Sequence, residues 1–348
     1  RASEKLVSTF VDGIGLRLGE DGRIHPDWRT FGAVTGRWSS TPNCQNWKKG
    51  EDPARNLRRM IVAPPGRIFA GADASQLEFR IIALLAGQED LLEVLSDPSR
   101  DAHAENTARL YPDVWPVLVS NIEAAKQRME ELERLIPGAS SPLQRRQYET
   151  LPAEAKKQYK ESATSCKRLR ELTKRATYAS LYGSTTENLF IKLRSDEKLR
   201  KMRIEIEPEQ CVRFVQMFPI LWPKIEEWRA RVKAEAALSQ EMVSPLLGRK
   251  RPFPLGRLDP TQATNFPVQA CAADLIDMAV LDLWEKLDRQ RDWIILQVHD
   301  ALVVETDADR GEYVKQLLIQ TMTAEVELNG YKCLFPTEAR VGQSWDQV

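Results

Sequence analysis

The chain contains a set of cationic and aromatic side chains that could bind one nucleotide. They recur every fourth residue, as Arg170, Lys174, Tyr178 and Tyr182. At about 3.6 residues per turn this spacing predicts one stripe on a helix that Gly183 ends. Cations hold phosphates and aromatic rings stack on bases, so the stripe suits a nucleotide lying along it. An ordinary amphipathic helix with basic side chains reaching solvent is the alternative.

Two aspartates are the next candidates for chemistry. Residues 66–73 predict a buried strand that ends at Asp73, and the S-x-x-E pattern of Ser75 to Glu78 predicts a capping box and a helix start. Residues 293–304 are apolar on both sides of His299 and Asp300, which predicts two strands joined by a tight turn. A carboxylate there is costly unless it is paired or binds a metal. Asp73 and Asp300 can meet only if both segments share one sheet, which we expect.

Helical patterns occupy the chain between these strands. A 3-4-3-4 spacing of apolar residues predicts a helix that stops at Pro137-Gly138; its members are Ile122, Ala125, Met129, Leu132 and Ile136. After a polar stretch at 138–150, further helices are predicted from about Pro152 to Tyr182, from Glu207 to Leu238 and from Ala272 to Leu287. The order is therefore strand and helix, a long helical insertion, then helix and strand pair.

Composition excludes several classes of protein. A chain of 348 residues can bury a sizeable core, and five dispersed cysteines without a CxxC pair indicate neither a disulfide framework nor a zinc ribbon. No apolar run approaches the length of a membrane span, so we expect a soluble protein of the cytoplasm. The net charge is zero, yet residues 145–175 are strongly basic. That stretch alone would usually be a solvated helix face.

Six motifs in order resemble those of the family A DNA polymerases, the DNA polymerase I type. Asp73 to Arg80 (DASQLEFR) resembles motif A, Arg170 to Gly183 resembles motif B, and Gln297 to Asp300 (QVHD) resembles motif C. The other three similar segments are Thr35 to Asn46, Asp101 to His103 and Asn265 to Asp274. Any one motif would be weak evidence, whereas six in order are specific.

The resemblance implies an α+β right-hand polymerase fold with an antiparallel palm sheet and helical fingers. Residues 1–36 would be a residual thumb and palm entry, 37–103 the palm with motif A, and 245–348 the palm with motif C. Residues 104–244 would be the fingers, with an insertion at about 115–155. The implied function is template-directed addition of deoxynucleoside triphosphates to a DNA primer.

Family resemblance also implies the metal site. Asp73 and Asp300 match the two catalytic aspartates that bind two Mg²⁺ ions, for which Mn²⁺ can substitute, and Ala74 matches a residue that offers its backbone carbonyl. Two divalent ions about 4 Å apart stabilise the attacking and leaving oxygens of phosphoryl transfer. Magnesium takes few protein oxygens besides water and phosphate, so two aspartates suffice.

The remaining roles concern nucleotide and DNA. Glu78 is either the last residue of the capping box or, as the resemblance implies, a steric gate against a ribose 2′-hydroxyl. By resemblance the primer and template contact Arg37, Tyr182, Gly183, Gln269 and His299. By the same resemblance the incoming nucleotide contacts Gln76, Glu78, His103, Arg170, Lys174 and Tyr178.

Three departures from the family pattern leave a second interpretation open. The chain begins shortly before Thr35, so we expect that an upstream segment or a partner protein replaces the thumb and the exonuclease. About 70 residues separate His103 from Lys174, more than the family needs. Ala301 occupies the position of a usual glutamate. The alternative function is a catalytically weakened module that binds primer and template or a replication partner.

Overall fold

The structure is a computed structural model that describes residues 17–47, 56–135, 142–253 and 259–348. Its strands, in chain order, are β1 (Asp27–Arg29), β2 (Ser39–Thr41), β3 (Arg67–Ala74), β4 (Glu241–Val243), β5 (Lys250–Pro252), β6 (Trp293–Val298), β7 (Ala301–Asp307), β8 (Ala324–Leu328), β9 (Tyr331–Phe335) and β10 (Thr337–Gly342). Its α-helices are α1 (Leu77–Ala86), α2 (Glu89–Ser96), α3 (Ala102–Leu110), α4 (Trp115–Leu135), α5 (Pro142–Leu181), α6 (Thr186–Ser195), α7 (Glu197–Lys201), α8 (Pro208–Leu221), α9 (Pro223–Ser239), α10 (Pro260–Lys286) and α11 (Gly311–Met322).

The chain forms two compact units. The first consists of residues 1–87 and 228–348, and the second of residues 88–227. The predicted α+β class with an antiparallel sheet is confirmed. No helix in the described part of the chain is long and apolar enough to span a membrane.

A four-stranded antiparallel sheet of order β10-β3-β7-β6 is the centre of the first unit. The prediction that the first and last parts of the chain share a sheet is confirmed, since β3 pairs with β7 and β10. One face buries Phe69 and Val303 in a cluster with Trp47 and Trp345. The other face, which includes Ala70, packs against α11. Burial of both faces explains why the central strands β3 and β7 are apolar at most positions.

The second unit is helical. Its core gathers Leu172 and Ala176 of α5 with side chains of α6, α7 and α8, among them Leu189, Leu199 and Phe214. The predicted helix over the apolar 3-4-3-4 spacing is confirmed as α4, in which Ala125 is buried. Ile136 and Pro137-Gly138 lie outside the described residues.

Two helix starts differ from the sequence prediction. Helix α10 begins at Pro260, not at Ala272. The polar stretch at 138–150 was expected to separate two helices, but α5 already begins at Pro142 and continues for 40 residues to Leu181. Proline suits the first turn of a helix, and the residues after it are mostly strong helix formers. The polar composition of residues 142–150 therefore belongs to a helix, not to a loop.

Candidate active site

The sheet of the first unit brings the two aspartates to one edge. Asp73, near the end of β3, is directly opposite Ala301, the first residue of β7. Asp300 precedes Ala301 in the two-residue turn between β6 and β7, and its carbonyl accepts a hydrogen bond from the Ala74 amide at 3.1 Å. The predicted strand pair with a tight turn is confirmed. Asp73, Ala74 and Asp300 thus lie together, although they are far apart in the sequence.

The turn itself is held by side chains of motif C. His299 has a φ of 56°, in the left-handed region that histidine adopts more readily than most residues. The Gln297 amide donates a hydrogen bond to the His299 carbonyl at 2.6 Å, and Gln45 in turn donates to the Gln297 side chain at 3.0 Å. Desolvation, followed by the charges of Arg37 and Arg58, lowers the pKa of His299. These hydrogen bonds hold the backbone of the turn beside Asp300, and the lowered pKa favours the uncharged form of His299.

Asp300 has the properties expected of a cation ligand. Burial raises its pKa to about 6, with Arg37 acting in the opposite direction and Glu78 and Asp73 adding to the rise. Its Oδ1 is buried and has no hydrogen-bond partner among the described residues. Such an oxygen is costly unless a proton or a cation satisfies it.

The residues present fit a divalent cation held by two aspartates. Within the described ranges no group of three or more His, Cys, Asp or Glu residues could hold a metal ion. Magnesium tolerates so few protein ligands because water and phosphate oxygens complete its octahedron. The donor set is therefore compatible with an ion shared between the protein and a phosphate-bearing substrate.

Arg37 lies in a loop that is anchored to α10. Arg249 binds the buried carboxylate of Asp274 on α10 and donates a hydrogen bond to the Thr35 carbonyl at 3.2 Å. Trp38 donates to Asp277 of the same helix at 2.7 Å. Gly36 has a φ of 90°, and a Cβ on it would clash with the Arg249 guanidinium, so the position favours glycine. These contacts fix the backbone on both sides of Arg37.

Arg37 connects two predicted site residues. Its guanidinium donates to the Glu78 carboxylate at 2.7 Å and lies 3.8 Å from Asp300 Oδ1. About three quarters of each of these side chains is buried, so the pair is shielded from solvent more than a surface ion pair. Glu78 is thus held by a cation at the edge of the aspartate site.

The predicted capping box at Ser75 to Glu78 is wrong. Helix α1 begins at Leu77, and its N-cap is Gln76, which has a φ of 55° and makes no side-chain capping bond. The left-handed Gln76 turns the chain sharply between β3 and α1, so Ser75 is one residue too early to cap. The Gln76 Oε1 is buried without a hydrogen-bond partner among the described residues. Gln269 lies on α10 with a partly exposed side chain.

In the second unit, α5 carries the predicted cationic and aromatic stripe. Arg170 binds the carboxylate of Asp101, with its Nε at 2.8 Å and a terminal nitrogen at 2.6 Å. Asp101 is also the N-cap of α3, accepting from the amides of His103 and Ala104. One carboxylate therefore fixes both the start of α3 and the Arg170 guanidinium. The sequence showed Asp101 only as part of a motif, and its pairing with Arg170 had no local signal.

His103 is buried beside this ion pair. Its ring centroid lies 5.8 Å from that of Tyr178. Burial, with the charges of Lys174 and Arg170, lowers the pKa of His103 to about 4. The imidazole is neutral at physiological pH, so any contact with phosphate would be hydrogen-bond donation and not ion pairing.

Lys174 lines a cleft of about 350 Å³ with other cations. Arg175, Lys192 and Lys198 share the cleft, and Tyr178 forms part of its wall. Burial is the main cause that lowers the pKa of Lys174. Glu171 and Asp196 also line the cleft and pair with Arg175 and Lys198. The four cations still outnumber the two acids, and this net positive charge suits an anionic ligand.

The end of the stripe differs slightly from the prediction. Helix α5 ends at Leu181, so Tyr182 follows the last helical residue. Gly183 has a φ of 78°, and its amide donates to the Ser180 carbonyl at 2.9 Å. The glycine therefore terminates the helix in the left-handed conformation, as its residue type indicates.

Comparisons with known proteins agree with this architecture. The model of DNA polymerase family A matches residues 1–124 and 148–347. DNA polymerase I, thermostable, of Thermus filiformis is 28% identical over 356 residues, covering 99% of this chain and 35% of that protein. DNA polymerase I of Chloroflexus aurantiacus is 27% identical over 362 residues, covering 100% of this chain and 32% of that protein. The chain thus spans about a third of the length of these curated relatives.

A solved structure has the same fold. The POL domain of Pol1 from M. smegmatis, in complex with DNA primer-template and dNTP, aligns with a TM-score of 0.72 at 24% identity. The alignment covers 100% of this chain and 52% of that one. The predicted polymerase fold is therefore confirmed. Because the family model matches nearly the whole sequence in two consecutive ranges, the chain belongs to DNA polymerase family A.

Proposed function

We propose that the chain is a template-directed DNA polymerase that adds deoxynucleoside triphosphates to the 3′ end of a primer. The observation that carries the proposal is the edge of the sheet where Asp73, Ala74 and the buried, raised-pKa Asp300 lie together. The relatives named above are DNA polymerases, and the fold neighbour binds primer-template and dNTP. Family A polymerases generally depend on a divalent metal, and two aspartates fit such an ion.

Each candidate residue has a proposed role in this reaction. Asp73 and Asp300 would hold two Mg²⁺ ions, or Mn²⁺, with the Ala74 carbonyl as a further ligand. When bound, these ions would stabilise the attacking and leaving oxygens of phosphoryl transfer. Arg37, Gln269 and His299 would contact the minor-groove side of primer and template. All base pairs present hydrogen-bond acceptors there, so such contacts depend on the geometry of the pair and not on its sequence.

The second unit would bind the incoming nucleotide. Arg170, Lys174 and the neutral His103 would hold the triphosphate, and Tyr178 would stack on the base. Tyr182 and Gly183 would lie where the templating base arrives. In the first unit, Gln76 and Glu78 would contact the sugar, with Glu78 excluding a 2′-hydroxyl. The division into palm (37–103 and 245–348) and fingers (104–244) stays a prediction, as do a cytoplasmic location and an upstream domain or partner.

Primer extension tests the proposal directly. Wild type with Mg²⁺ should extend a primer, and Asp73→Asn should reduce extension to background while DNA affinity, measured by fluorescence anisotropy, is retained. Glu338→Gln is the matched control, because Glu338 is opposite Asp73 on β10 and the change also removes one negative charge. This control should still extend the primer.

Two outcomes would decide against the proposal. A wild type that is silent but gains extension from Ala301→Glu would support the alternative of a weakened binding module. The observation that favours this alternative is the lack of a third acid opposite Asp73 on β7. A wild type and an Ala301→Glu variant that are both silent, under conditions in which both bind primer and template, would exclude polymerase activity.

A further inference from the structure

The cationic and aromatic stripe of α5 continues towards the start of the helix as a line of exposed lysines. Lys156, Lys160 and Lys167 are all exposed and lie within about 40° of one another around the helix. We call these three residues the lysine stripe. Arg170 and Lys174 continue the same line, so that the five cations fall within about 80° of the helix surface.

The helix makes this alignment rigid. Because α5 is a continuous helix, Lys156 and Lys174 are separated by about five turns, or about 27 Å. The lysine stripe alone covers about 16 Å. A basic stretch in a loop would have no fixed geometry, whereas these charges form a line that points at the proposed triphosphate site.

The opposite side of the helix is the side that packs. Ala155 and Ser162 are buried, and α5 packs against α4 along this part of its length. The Lys126 ammonium of α4 lies 5.8 Å from the centroid of the Tyr159 ring. The lysine stripe is therefore on the solvent side, and packing does not explain its charges.

No described carboxylate neutralises these lysines. Two exposed acids lie on this part of α5, Glu154 and Glu161. Both are about 100° or more around the helix from Lys160. Two other cations of α5 are paired: Arg170 binds Asp101, and Arg175 binds Glu171 and Asp196. Among the described residues no ion pair joins an acid to Lys156, Lys160 or Lys167. In a chain of zero net charge, such a line of uncompensated cations attracts an extended polyanion.

We infer that the lysine stripe binds the phosphate backbone of a nucleic-acid strand, the unpaired template that extends beyond the primer. A straight line of cations on a convex helix can follow one strand. The same line leads to the end of α5, where Tyr182 follows the last helical residue, and an aromatic ring suits the unstacked bases of a single strand. That this strand is the template rests on the proposed function. That the lysine stripe binds a single strand does not.

Affinity measurements on the full 348-residue chain test this inference. The variant Lys156→Gln/Lys160→Gln/Lys167→Gln keeps strong helix formers but removes three charges. The probes are a labelled primer-template with a long template overhang and the same duplex with blunt ends. For the overhang, the dissociation constant should rise at least about 10-fold at low salt, and the slope of log affinity against log salt should fall by about two, at about 0.7 per phosphate contact. The blunt duplex should be affected much less.

A matched variant controls for net charge. Lys201→Gln/Lys286→Gln/Lys315→Gln removes the same charge from lysines outside α5 that already pair with Glu197, Asp282 and Glu312. This variant should bind the overhang as wild type does. Lys156→Arg/Lys160→Arg/Lys167→Arg, which keeps the charges, should also retain wild-type affinity and salt slope.

Several results would overturn the inference. If wild type and the Gln variant bind the overhang with equal affinity and equal salt slope, the lysine stripe does not bind DNA. An equal loss with blunt duplex would refute single-strand binding. A raised KM for dNTP at unchanged DNA affinity would instead indicate steering of the triphosphate. Because binding is measured without catalysis, a chain that fails to extend primers but shows the expected overhang result would refute the proposed function and retain this inference.

Discussion

Asp73 and Ala301 are directly opposite one another on β3 and β7. Side chains in such a pair share one face of the sheet, with Cβ atoms about 4.5 to 5.5 Å apart. A glutamate at position 301 would therefore stand beside the Asp73 carboxylate. With alanine there, Glu338 of β10 is the acid opposite Asp73 on its other side.

Ala301→Glu should increase the response of stability to Mg²⁺. Without divalent ions the variant should lose up to about 1 kcal/mol of unfolding free energy, because like charges directly opposite one another repel. Mg²⁺ should then stabilise it more than wild type, since ligand binding to the folded state adds to its stability. Urea unfolding in EDTA and in Mg²⁺ measures both effects. The uncharged Ala301→Gln is the control, and an equal Mg²⁺ response in all three proteins would contradict the prediction.

Glu78 should depend on Arg37 for sugar selectivity. Arg37 holds the Glu78 carboxylate at 2.7 Å, so Arg37→Met should remove one restraint on that side chain and increase ribonucleotide incorporation, as Glu78→Ala should. The double variant Arg37→Met/Glu78→Ala should have the same sugar selectivity as Glu78→Ala alone, because the two residues act through one contact. Single-nucleotide incorporation with matched dNTP and rNTP measures the ratio. Independent, additive effects would show that the contact does not matter for selectivity.

Asp101 should position Arg170 for the triphosphate. Asp101→Asn keeps an N-cap side chain for α3 but weakens the charge-assisted bonds to Arg170. We expect the KM for dNTP to rise about 10-fold with little change in kcat, corresponding to about 1.4 kcal/mol. Glu105→Gln is the control, because Glu105 forms a similar pair with Arg100 at 2.7 Å. A fall in kcat at constant KM, or an equal effect in the control, would argue against a positioning role.

Stability should fall in mild acid because of His103. Its folded-state pKa of about 4 lies below the ordinary 6.5, so the unfolded chain binds the proton more readily between these values. The contribution is fully present above about pH 6.5 and is lost as the pH falls towards 4, by up to about 3 kcal/mol. The raised pKa of Asp300 acts in the opposite direction between about pH 4 and 6, so the test is the difference between two proteins. In urea unfolding at several pH values, stability should fall more steeply with acid in wild type than in His103→Gln. The exposed His25, changed in His25→Gln, should leave the slope intact; identical slopes in all three would refute the assignment.

The sequence by itself determined which residue types are available for chemistry and which local elements carry them. Local patterns of apolar and polar residues predict three elements of the site. These are the strand ending at Asp73, the hairpin at His299 and Asp300, and the helix from Arg170 to Tyr178. Motif order identified the family, and with it the fold. The start of α5 and the cap of α1 were missed, because polar residues suit exposed helices as well as loops and a left-handed Gln76 has no local signature.

Only the tertiary structure decided which of these side chains meet. Asp73 lies opposite Ala301 because β3 pairs with β7 in one register, and a shift by one residue would turn Asp73 to the other face. The contacts of Arg37 with Glu78 and of Arg170 with Asp101 join residues far apart in the chain, and no periodicity encodes them. The same holds for the burial that raises the pKa of Asp300, because the loss of water around a carboxylate depends on every element packed around it.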